Sequence, residues 1–406
     1  RDRMTDPAPA TGPLKGLRVL ELGVLLAGPF CAQLLGDMGA EVIKIERPGK
    51  GDDCRAWGPP WLDGESLWFL SVNRNKQSVT LDYTSAAGRM VLHDIVRRVD
   101  VVIVNLTDRV QKKLGVDHAA LSAVRSDIVH VSLSGFGLTG ARKDFPCYDL
   151  IAEGYSGIMD LTGESENDPQ KVGTPAADML AGQDLAMAVM AAIHGRARTG
   201  KGSSIDISML STMTRFTAPR VVAYLGSDEV PRRSGGKDSV IAIYQVFNTA
   251  DSQLSLGLGN DAIWKRFWQA VGDPAFAEKP EYAGNAGRRN HRPAIVARIS
   301  EVLVTKPRDE WLALFAKNRI PAGPINRVDE VTKDQDLLTK EFFYKSDSGY
   351  GEVPQVGLGI TIDGEHHVHR KAPPTLGEDT EAILRERLKL SPAQIKQLQQ
   401  ANIVNE

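Results

Sequence analysis

One aspartate of this sequence stands where its carboxylate could act as a nucleophile. Asp178 lies in the segment 173–182, among alanines and glycines at the predicted start of a helix. Such a carboxylate could cap the helix by accepting its first free N–H groups. It could also attack an electrophilic substrate, because an ionised carboxylate among small side chains is open to a ligand. The two roles are compatible, and the segment alone leaves both open.

Basic residues accumulate near the predicted carboxyl ends of the strands in the first half of the chain. They favour a phosphorylated ligand, because ammonium and guanidinium groups bind phosphate, although a solvated charged surface explains the pattern equally well. The set comprises Arg47, Lys50, Arg55, Arg74, Lys76, Arg109, Lys112 and Lys113.

The usual nucleotide loops are missing from the sequence. The loop 23–29 reads GVLLAGP, which is not GxGxxG, and no G-x-x-x-x-G-K-[ST] motif occurs. NAD and ATP are therefore poorly supported, and we expect no permanently bound cofactor. His366, His367 and His369 have a spacing that could hold a metal, but no carboxylate or cysteine partner is evident, so no metal site is predicted.

The composition is that of an ordinary globular protein. The 406 residues include 49 basic and 51 acidic ones, interspersed, for a net charge of −2, which argues against a nucleic-acid partner. No apolar run approaches the roughly 20 residues that span a bilayer, so no membrane partner is expected. Three widely spaced cysteines without a CxxC pair indicate reduced thiols and a cytoplasmic location. The polar segment 1–13 is predicted to be disordered.

Strand and helix patterns alternate through the first half. Strands are predicted at 17–22, 41–46, 101–104, 128–133 and 204–207, and helices at 27–38, 87–99 and 179–193. A strand, a helix and a strand within about 30 residues form a βαβ unit, so the pattern predicts a doubly wound parallel α/β sheet.

The second half changes character. Hairpin strands are predicted at 243–247 and 254–258, helices at 261–271 and 293–304, and a helical tail at 381–400. The predicted organisation is a large α/β domain at 14–225, a smaller α+β domain at 226–345, and a C-terminal segment at 346–406 that returns to the large domain.

Several blocks in order resemble the class III CoA-transferase family, also called the CaiB/BaiF or formyl-CoA transferase family. They include PLKGLRVLEL from Pro13, LGDMGAEVIKIERPG from Leu35, SVNRNK from Ser71, LSGFGLTG from Leu133 and PTLGEDT from Pro374. The resemblance runs from about Leu14 to the C-terminus. It implies a Rossmann-like large domain, a small domain and two chains threaded through each other as an interlocked homodimer.

The resemblance implies an acyl-CoA:carboxylate CoA-transferase in which CoA is a substrate. Asp178 is the expected nucleophile and forms an aspartyl mixed anhydride and an aspartyl-CoA thioester. Tyr148 and Asp149 match an aromatic–acidic pair near the thioester, and Gly235 and Gly236 match a glycine loop over the nucleophile. The residues expected to contact CoA are Leu26, Ala27, Arg47, Leu81, Asn105, Leu106 and Lys113.

Two departures from the family bear on the substrate. Pro146 stands where formyl-CoA transferases have a lysine, and their glycine loop is reduced to Gly235-Gly236-Lys237, so oxalate is not the expected acceptor. The blocks WGPP, SVNRNK and YDLIAEGYSG look closest to transferases that act on succinate and glutarate. The possible partners for a second carboxylate are Arg74, Arg142, Arg215 and Arg220, since a guanidinium grips a carboxylate with two hydrogen bonds.

Two alternatives remain open. An α-methylacyl-CoA racemase shares the fold and the CoA site, but Tyr148 stands where racemases have a histidine, and a phenol with a pKa of about 10 is a poor base. A non-catalytic CoA-binding paralogue is the other alternative, against which Asp178 and its small neighbours argue.

Overall fold

A computed structural model describes residues 12–366 and 371–405. Most of the segment predicted to be disordered, and the histidines at 367 and 369, lie outside these residues. Within the described part of the chain, no group of three histidine, cysteine or acidic side chains is placed to hold a metal ion.

The chain forms two compact units. The first contains the described residues up to Ile158 together with Val172–Val222 and the residues from Gln335 onward. The second contains Met159–Lys171 and Ala223–Asp334. The second unit thus includes 159–171, a segment that we predicted within the large domain, while the other predicted domain limits remain a prediction.

The strands, in chain order, are β1 (Arg18–Glu21), β2 (Glu41–Glu46), β3 (Trp61–Leu62), β4 (Glu65–Ser66), β5 (Lys76–Thr80), β6 (Val101–Val104), β7 (Val129–Ser134), β8 (Ser203–Ser208), β9 (Tyr244–Asn248), β10 (Gln253–Gly257), β11 (Ala322–Pro324), β12 (Phe343–Ser348), β13 (Gly351–Val356), β14 (Thr361–Ile362) and β15 (Glu365–His366).

The helices, in chain order, are α1 (Ala27–Asp37), α2 (Leu67–Ser71), α3 (Ala86–Val96), α4 (Asp108–Leu114), α5 (His118–Val124), α6 (Asp149–Ser156), α7 (Ile158–Leu161), α8 (Ala176–Thr199), α9 (Met209–Phe216), α10 (Ala218–Ser227), α11 (Asp261–Ala270), α12 (Pro274–Ala277), α13 (Gly284–Asn290), α14 (Arg292–Leu303), α15 (Arg308–Lys317), α16 (Val328–Val331), α17 (Gln335–Thr339), α18 (Thr380–Ala382) and α19 (Pro392–Gln400).

A six-stranded parallel sheet is the centre of the first unit. Its strand order is β5-β2-β1-β6-β7-β8, and every neighbouring pair is parallel. This confirms the predicted parallel α/β sheet. Strand β5 was missed by the sequence analysis, because its residues KQSVT are polar at one end and lack the apolar run that marks a strand buried on both faces.

Helices cover both faces of this sheet. Alternate side chains of β1 point to opposite sides, so that Val19 packs with α1 and α8, whereas Leu20 packs with α3 and the C-terminal helices. The crevice at the carboxyl ends of the strands therefore lies between two apolar layers, which is where ligands bind in open parallel sheets.

The second unit has its own core. Strands β11, β10 and β9 form an antiparallel sheet, and the helices beside it bury Trp264, Phe267, Trp268 and Phe315. The segment 322–324 is an edge strand of this sheet.

Two helices differ from their predicted bounds. The tail is not one helix, because it breaks after a π-helical turn at Ile383–Arg387, and Ser391 with Pro392 begins a new helix, α19.

Helix α8 runs for 24 residues, and by length and composition alone it could cross a membrane. One such helix is weak evidence, since the core helix of a globular protein passes the same test, and Leu185 and Val189 of α8 are fully buried.

Candidate active site

Asp178 lies in the first turn of the longest helix. Helix α8 begins at Ala176, directly after Pro175, so Asp178 is the third residue of the helix and not the residue that precedes it. The capping role that the sequence left open is therefore wrong. Pro175 has no side chain that can accept a hydrogen bond, so the first N–H groups of α8 depend on another element.

The carboxylate of Asp149 supplies the missing acceptor. Asp149 begins helix α6, and its Oδ1 accepts from the N–H of Ala177 at 2.7 Å and from the N–H of Asp178 at 3.2 Å. A negative charge is favourable at this position, because the N-terminus of a helix carries partial positive charge. The aromatic–acidic pair of Tyr148 and Asp149 thus lies against the backbone of the predicted nucleophile.

The carboxylate of Asp178 is itself uncompensated. Within residues 12–366 and 371–405 it has no hydrogen-bond or ion-pair partner. Burial, and secondarily the negative charge of Asp149, raise the pKa of Asp178 to about 7. Burial likewise raises the pKa of the nearby Cys147 thiol to about 11, and the charge of Asp178 adds to the effect. The two carboxylates and the thiol form a patch without a cation.

The predicted CoA loop, residues 23–29, connects β1 to α1 and is held by two buried lysines. Lys44 Nζ donates to the first carbonyl of the loop at 3.0 Å, and Lys76 Nζ donates to its last carbonyl at 2.8 Å. Glu21 lies between the two ammonium groups, with a carboxylate oxygen 2.8 Å from each. All three side chains are fully buried, and buried Asp52, 2.9 Å from Lys44 Nζ, supplies the second negative charge, so both ends of the loop rest on a charged but internally balanced support.

The middle of the loop is fixed by two further side chains. Leu25 adopts a left-handed backbone with φ of 70°, which costs a non-glycine residue roughly 1–2 kcal/mol, and Asp52 accepts its N–H at 2.9 Å. Asn105 accepts from the N–H of Val24 at 2.9 Å and donates to its carbonyl at 2.5 Å. Asn105, predicted to contact CoA, therefore also shapes the loop that was predicted to meet CoA.

A close helix contact joins this loop to the nucleophile helix. A Cβ on Gly182 would lie 2.9 Å from the carbonyl oxygen of Ala27 and 2.9 Å from the ring of Phe30. Only glycine allows α8 to approach the start of α1 so closely. Gly182 follows Asp178 by about one helical turn, so the predicted nucleophile and Ala27 belong to elements in direct contact.

The other predicted CoA residues lie along the carboxyl edge of the sheet with different exposures. Arg47 is exposed after β2 and forms an ion pair with Asp53, and Lys113 is exposed on α4. Leu106 is partly buried beside β6. Leu81 is only 1% exposed in the apolar core, so it can offer a ligand its backbone but not its side chain.

Three of the eight basic residues predicted to attract phosphate are buried in ion pairs and are not free to bind it. Arg55 contacts Glu46 at 2.7 Å and Glu65 at 2.6 Å, Arg74 contacts Asp37 at 2.6 Å, and Lys76 contacts Glu21. The exposed members are Arg47, Lys50, Arg109, Lys112 and Lys113.

The buried ionic cluster beneath the loop 23–29, which comprises Glu21, Lys44, Asp52 and Lys76, was not predicted from the sequence. Its signal was present, because Glu21 and Lys44 each lie between apolar residues in the predicted strands, and such charges are rarely buried unless they are paired. Asp52 gave no comparable signal, since an acidic residue after a strand usually lies in an exposed loop.

Gly235 and Gly236 belong to the second unit. Gly235 has a φ of 62°, donates its N–H to the carbonyl of Gly163 at 2.8 Å, and has no room for a Cβ beside Glu164. Both glycines line a cavity of about 490 Å³ in that unit. Their predicted role over Asp178 remains a prediction.

The arrangement in the first unit suits acyl chemistry. An uncompensated carboxylate with a raised pKa lies in a helix packed on a rigid loop, at the edge where parallel sheets bind ligands. Fold and site together define an α/β protein with an uncompensated, partly buried carboxylate in a helix beside the ligand-binding edge of the sheet.

Comparisons with known proteins agree with this description. The family model of CoA-transferase family III matches residues 14–380. The chain is 35% identical over 390 residues to a succinate–glutarate CoA-transferase of Agrobacterium fabrum, covering 94% of this chain and 98% of that protein. It is 33% identical over 384 residues to an acetyl-CoA:oxalate CoA-transferase of Acetobacter aceti, covering 94% and 97%.

A solved structure gives the same answer for the fold. A CaiB/BaiF family protein from Brucella suis is 36% identical, with a TM-score of 0.82, and the match covers 94% of this chain and 100% of that one. The chain belongs to CoA-transferase family III, and the family resemblance read from its sequence blocks is confirmed.

Proposed function

We propose that this protein transfers CoA between an acyl-CoA and a small dicarboxylic acid, with succinate and glutarate as the acids, through covalent intermediates on Asp178. The observation that carries the mechanism is the uncompensated Asp178 carboxylate in the first turn of α8, a helix that packs at Gly182 on the predicted CoA loop. A carboxylate with neither cation nor hydrogen-bond donor is available for attack.

The proposed reaction proceeds in two symmetrical halves. An Asp178 oxygen attacks the thioester carbonyl, the C–S bond breaks, and a mixed anhydride and CoA thiolate form. The thiolate attacks the aspartyl carbonyl, which gives an aspartyl-CoA thioester and releases the donor acid as its carboxylate. The acceptor carboxylate then repeats these steps in reverse, so the thioester bond energy is retained and no ATP is consumed. Backbone N–H groups near the glycines would stabilise the oxyanions.

CoA is proposed as a substrate that is not permanently bound. Its nucleotide part would lie along the carboxyl edge of the sheet near Arg47 and Lys113, which are exposed there. Its pantetheine arm would pass the loop at Leu26 and Ala27. The rigidity of that loop supports this placement, because a preformed loop loses little conformational entropy when a ligand binds.

The names of the relatives support a dicarboxylate acceptor, but they include both succinate–glutarate and oxalate. The four arginines that could grip a second carboxylate differ in their pairing. Arg74 is buried against Asp37, Arg215 contacts Asp184, and Arg220 also has a partner.

Arg142 is the candidate that these contacts favour. Its guanidinium lies 5.1 Å from the ring centroid of Phe136 and 4.8 Å from that of Tyr155, and it has no carboxylate partner among the described residues. Stacking on aromatic rings leaves the N–H groups of a guanidinium free for a carboxylate. Arg142 also precedes the Cys147–Asp149 segment on the same loop.

A homodimer is the proposed assembly, interlocked as the family resemblance implies. An apolar groove of about 880 Å³ supports self-association, because Leu26, Phe30, Trp68 and Met187 line it and Met187 is 60% exposed. The cytoplasm remains the proposed location, supported by three free thiols. Light scattering after size exclusion checks the assembly, and a mass of one 44.2 kDa chain would contradict it.

An acceptor panel tests the proposed reaction. Purified protein is incubated with succinyl-CoA and one acid at a time, namely glutarate, oxalate, acetate or butyrate, and the CoA esters are separated chromatographically. We expect glutaryl-CoA to form fastest. Preference for oxalate or for a monocarboxylate would contradict the dicarboxylate assignment.

A trapping experiment separates transferase from racemase. Hydroxylamine added with acyl-CoA should convert Asp178 to a hydroxamate that mass spectrometry finds in its peptide. An unmodified Asp178, together with solvent deuterium in the α-position of a branched acyl-CoA, would instead identify a racemase.

A further inference from the structure

Two carboxylates lie at the N-terminus of helix α8. That of Asp149 accepts hydrogen bonds from the helix N–H groups, and that of Asp178 accepts none among the described residues. Asp149, from α6, accepts the N–H groups of Ala177 and Asp178 at 2.7 Å and 3.2 Å. The Asp178 side chain, within the same turn, accepts none among the described residues. An acidic residue at the third helical position commonly gains from the helix dipole, but here that favourable environment is already occupied by another negative charge.

The surroundings add no positive charge. No lysine, arginine or histidine forms an ion pair with Asp149 or Asp178 within residues 12–366 and 371–405. The titratable group that acts on Asp178 is Asp149 of α6, and the charge of Asp178 in turn helps to raise the pKa of the Cys147 thiol in the preceding loop. In this partly buried site the negative charge of Asp149 opposes the ionisation of Asp178.

We propose that Asp149 is a positioning residue for the reaction: its carboxylate fixes the first turn of α8, and its charge keeps the Asp178 carboxylate a stronger nucleophile than an ordinary aspartate. The inference rests on the proposed function. In the step concerned, an Asp178 oxygen bonds to the acyl carbon, the C–S bond breaks, and the electron pair leaves with the CoA thiolate. No proton is transferred, so the rate depends on how much Asp178 is ionised and on how basic it is.

The charge of Asp149 affects the rate in two opposite ways, one at low pH and one at high pH. Because Asp149 raises the pKa of Asp178, removing its charge increases the ionised fraction at low pH. The same change makes the carboxylate less basic, so the rate at high pH falls. A residue that only stabilised the fold would lower the rate at every pH and leave the midpoint of the profile in place.

Asp149→Asn and Asp149→Ala separate positioning from charge. Asparagine keeps an oxygen that can accept the two helix N–H groups but carries no charge, whereas alanine removes both. The measurement is the single-turnover formation of the aspartyl-CoA thioester from succinyl-CoA between pH 5 and pH 9, followed by acid quench and mass spectrometry. Asp117→Asn, the same change before the first residue of α5, is the matched control and should behave like the wild type.

For the wild type we expect the rate to rise with pH around the Asp178 pKa of about 7. Asp149→Asn should move this midpoint about one pH unit lower and reduce the plateau about threefold, by analogy with the partial dependence of nucleophilicity on basicity known for thiolates. Asp149→Ala should show the same midpoint shift and a lower plateau than Asp149→Asn. A midpoint that stays at the wild-type value in Asp149→Asn would overturn the inference.

A second measurement needs no turnover. Carboxyl-¹³C NMR of aspartate-labelled protein, assigned with Asp178→Asn, reports the titration of Asp178 directly. A fall of its pKa in Asp149→Asn supports the inference even if the chain forms no aspartyl-CoA thioester from succinyl-CoA, a result that would count only against the proposed function. An unchanged titration would refute the inference, whatever the activity.

Discussion

Two groups of acidic side chains in the first unit differ in whether a lysine or arginine neutralises their charge. Glu21, Glu46 and Asp52 are buried, and each contacts at least one lysine or arginine at 2.9 Å or less. Asp149 and Asp178 lie in a partly buried site and have no cation partner among the described residues. The first group holds the predicted CoA loop in place, and the second faces the predicted chemistry.

The pKa values follow this contrast. Burial disfavours the charge of Glu46, but the guanidinium of Arg55 outweighs it and lowers the pKa of that carboxyl to about 2. Burial also disfavours the charge of Asp178, and the neighbouring Asp149 adds to the effect, so its pKa rises to about 7. Charge is thus neutralised around the predicted CoA loop and left uncompensated at the predicted nucleophile.

The largest expected effect comes from removing the uncompensated carboxylate. Asp178→Ala should lower the rate of CoA exchange at least about 1,000-fold, because a covalent route loses its nucleophile. CoA binding, measured by calorimetry, should change little. Asp94→Ala, an exposed aspartate of α3, serves as the control. Exchange at more than a tenth of the wild-type rate in Asp178→Ala would show that the reaction does not pass through this residue.

The next effect comes from breaking a compensated pair. Arg55→Met leaves Glu46 and Glu65 buried without their partner and should lower the free energy of unfolding by about 3–5 kcal/mol. Arg47→Met removes an exposed ion pair with Asp53 and should cost about 0–1 kcal/mol. The midpoints of urea unfolding compare the two, and equal midpoints would contradict the assigned contrast.

Neutralising Asp178 should stabilise the fold, with a defined pH dependence. The folded state holds the Asp178 proton up to a pKa of about 7, whereas an unfolded aspartate titrates near 3.9, so stability is lost as pH rises between these values. Asp178→Asn removes this loss. Its melting temperature should exceed that of the wild type by about 2–4 °C at pH 8 and by little at pH 4.5. An equal difference at both pH values would argue against a raised pKa.

The smallest expected effect is on the alkylation rate of Cys147, which reports the negative charge of Asp178. Its thiol pKa of about 11 leaves little thiolate at pH 8, so alkylation by iodoacetamide should be at least about 100-fold slower than for a free cysteine. Asp178→Asn removes one nearby negative charge and should speed alkylation about threefold. Mass spectrometry of the labelled peptide gives the rate, and slower labelling in the variant would contradict the assigned electrostatics.

Much of the first unit could be read from the sequence. The strands at 41–46 and 101–104 were predicted with the bounds they have. The second is the continuous apolar run of a strand buried on both faces, and the first has apolar residues on either side of Lys44. The start of α1 was marked by Pro29 in its first turn. Strand β5 was not predicted because Lys76 is buried there, and its burial becomes tolerable only through contacts with Glu21, the carbonyl of Pro29 and Asn73.

The sequence by itself determined the parallel sheet, the family and the aspartate at the start of a helix, since these depend on local periodicity and on ordered blocks. The tertiary structure decided the hydrogen bonding and the electrostatic environment of that aspartate, Asp178. Asp149, 29 residues away, caps α8 in its place, and Gly182 brings the helix onto the predicted CoA loop. Local patterns cannot report such relations, because the electrostatic environment of a carboxylate depends on which distant side chains and backbone groups the fold places beside it.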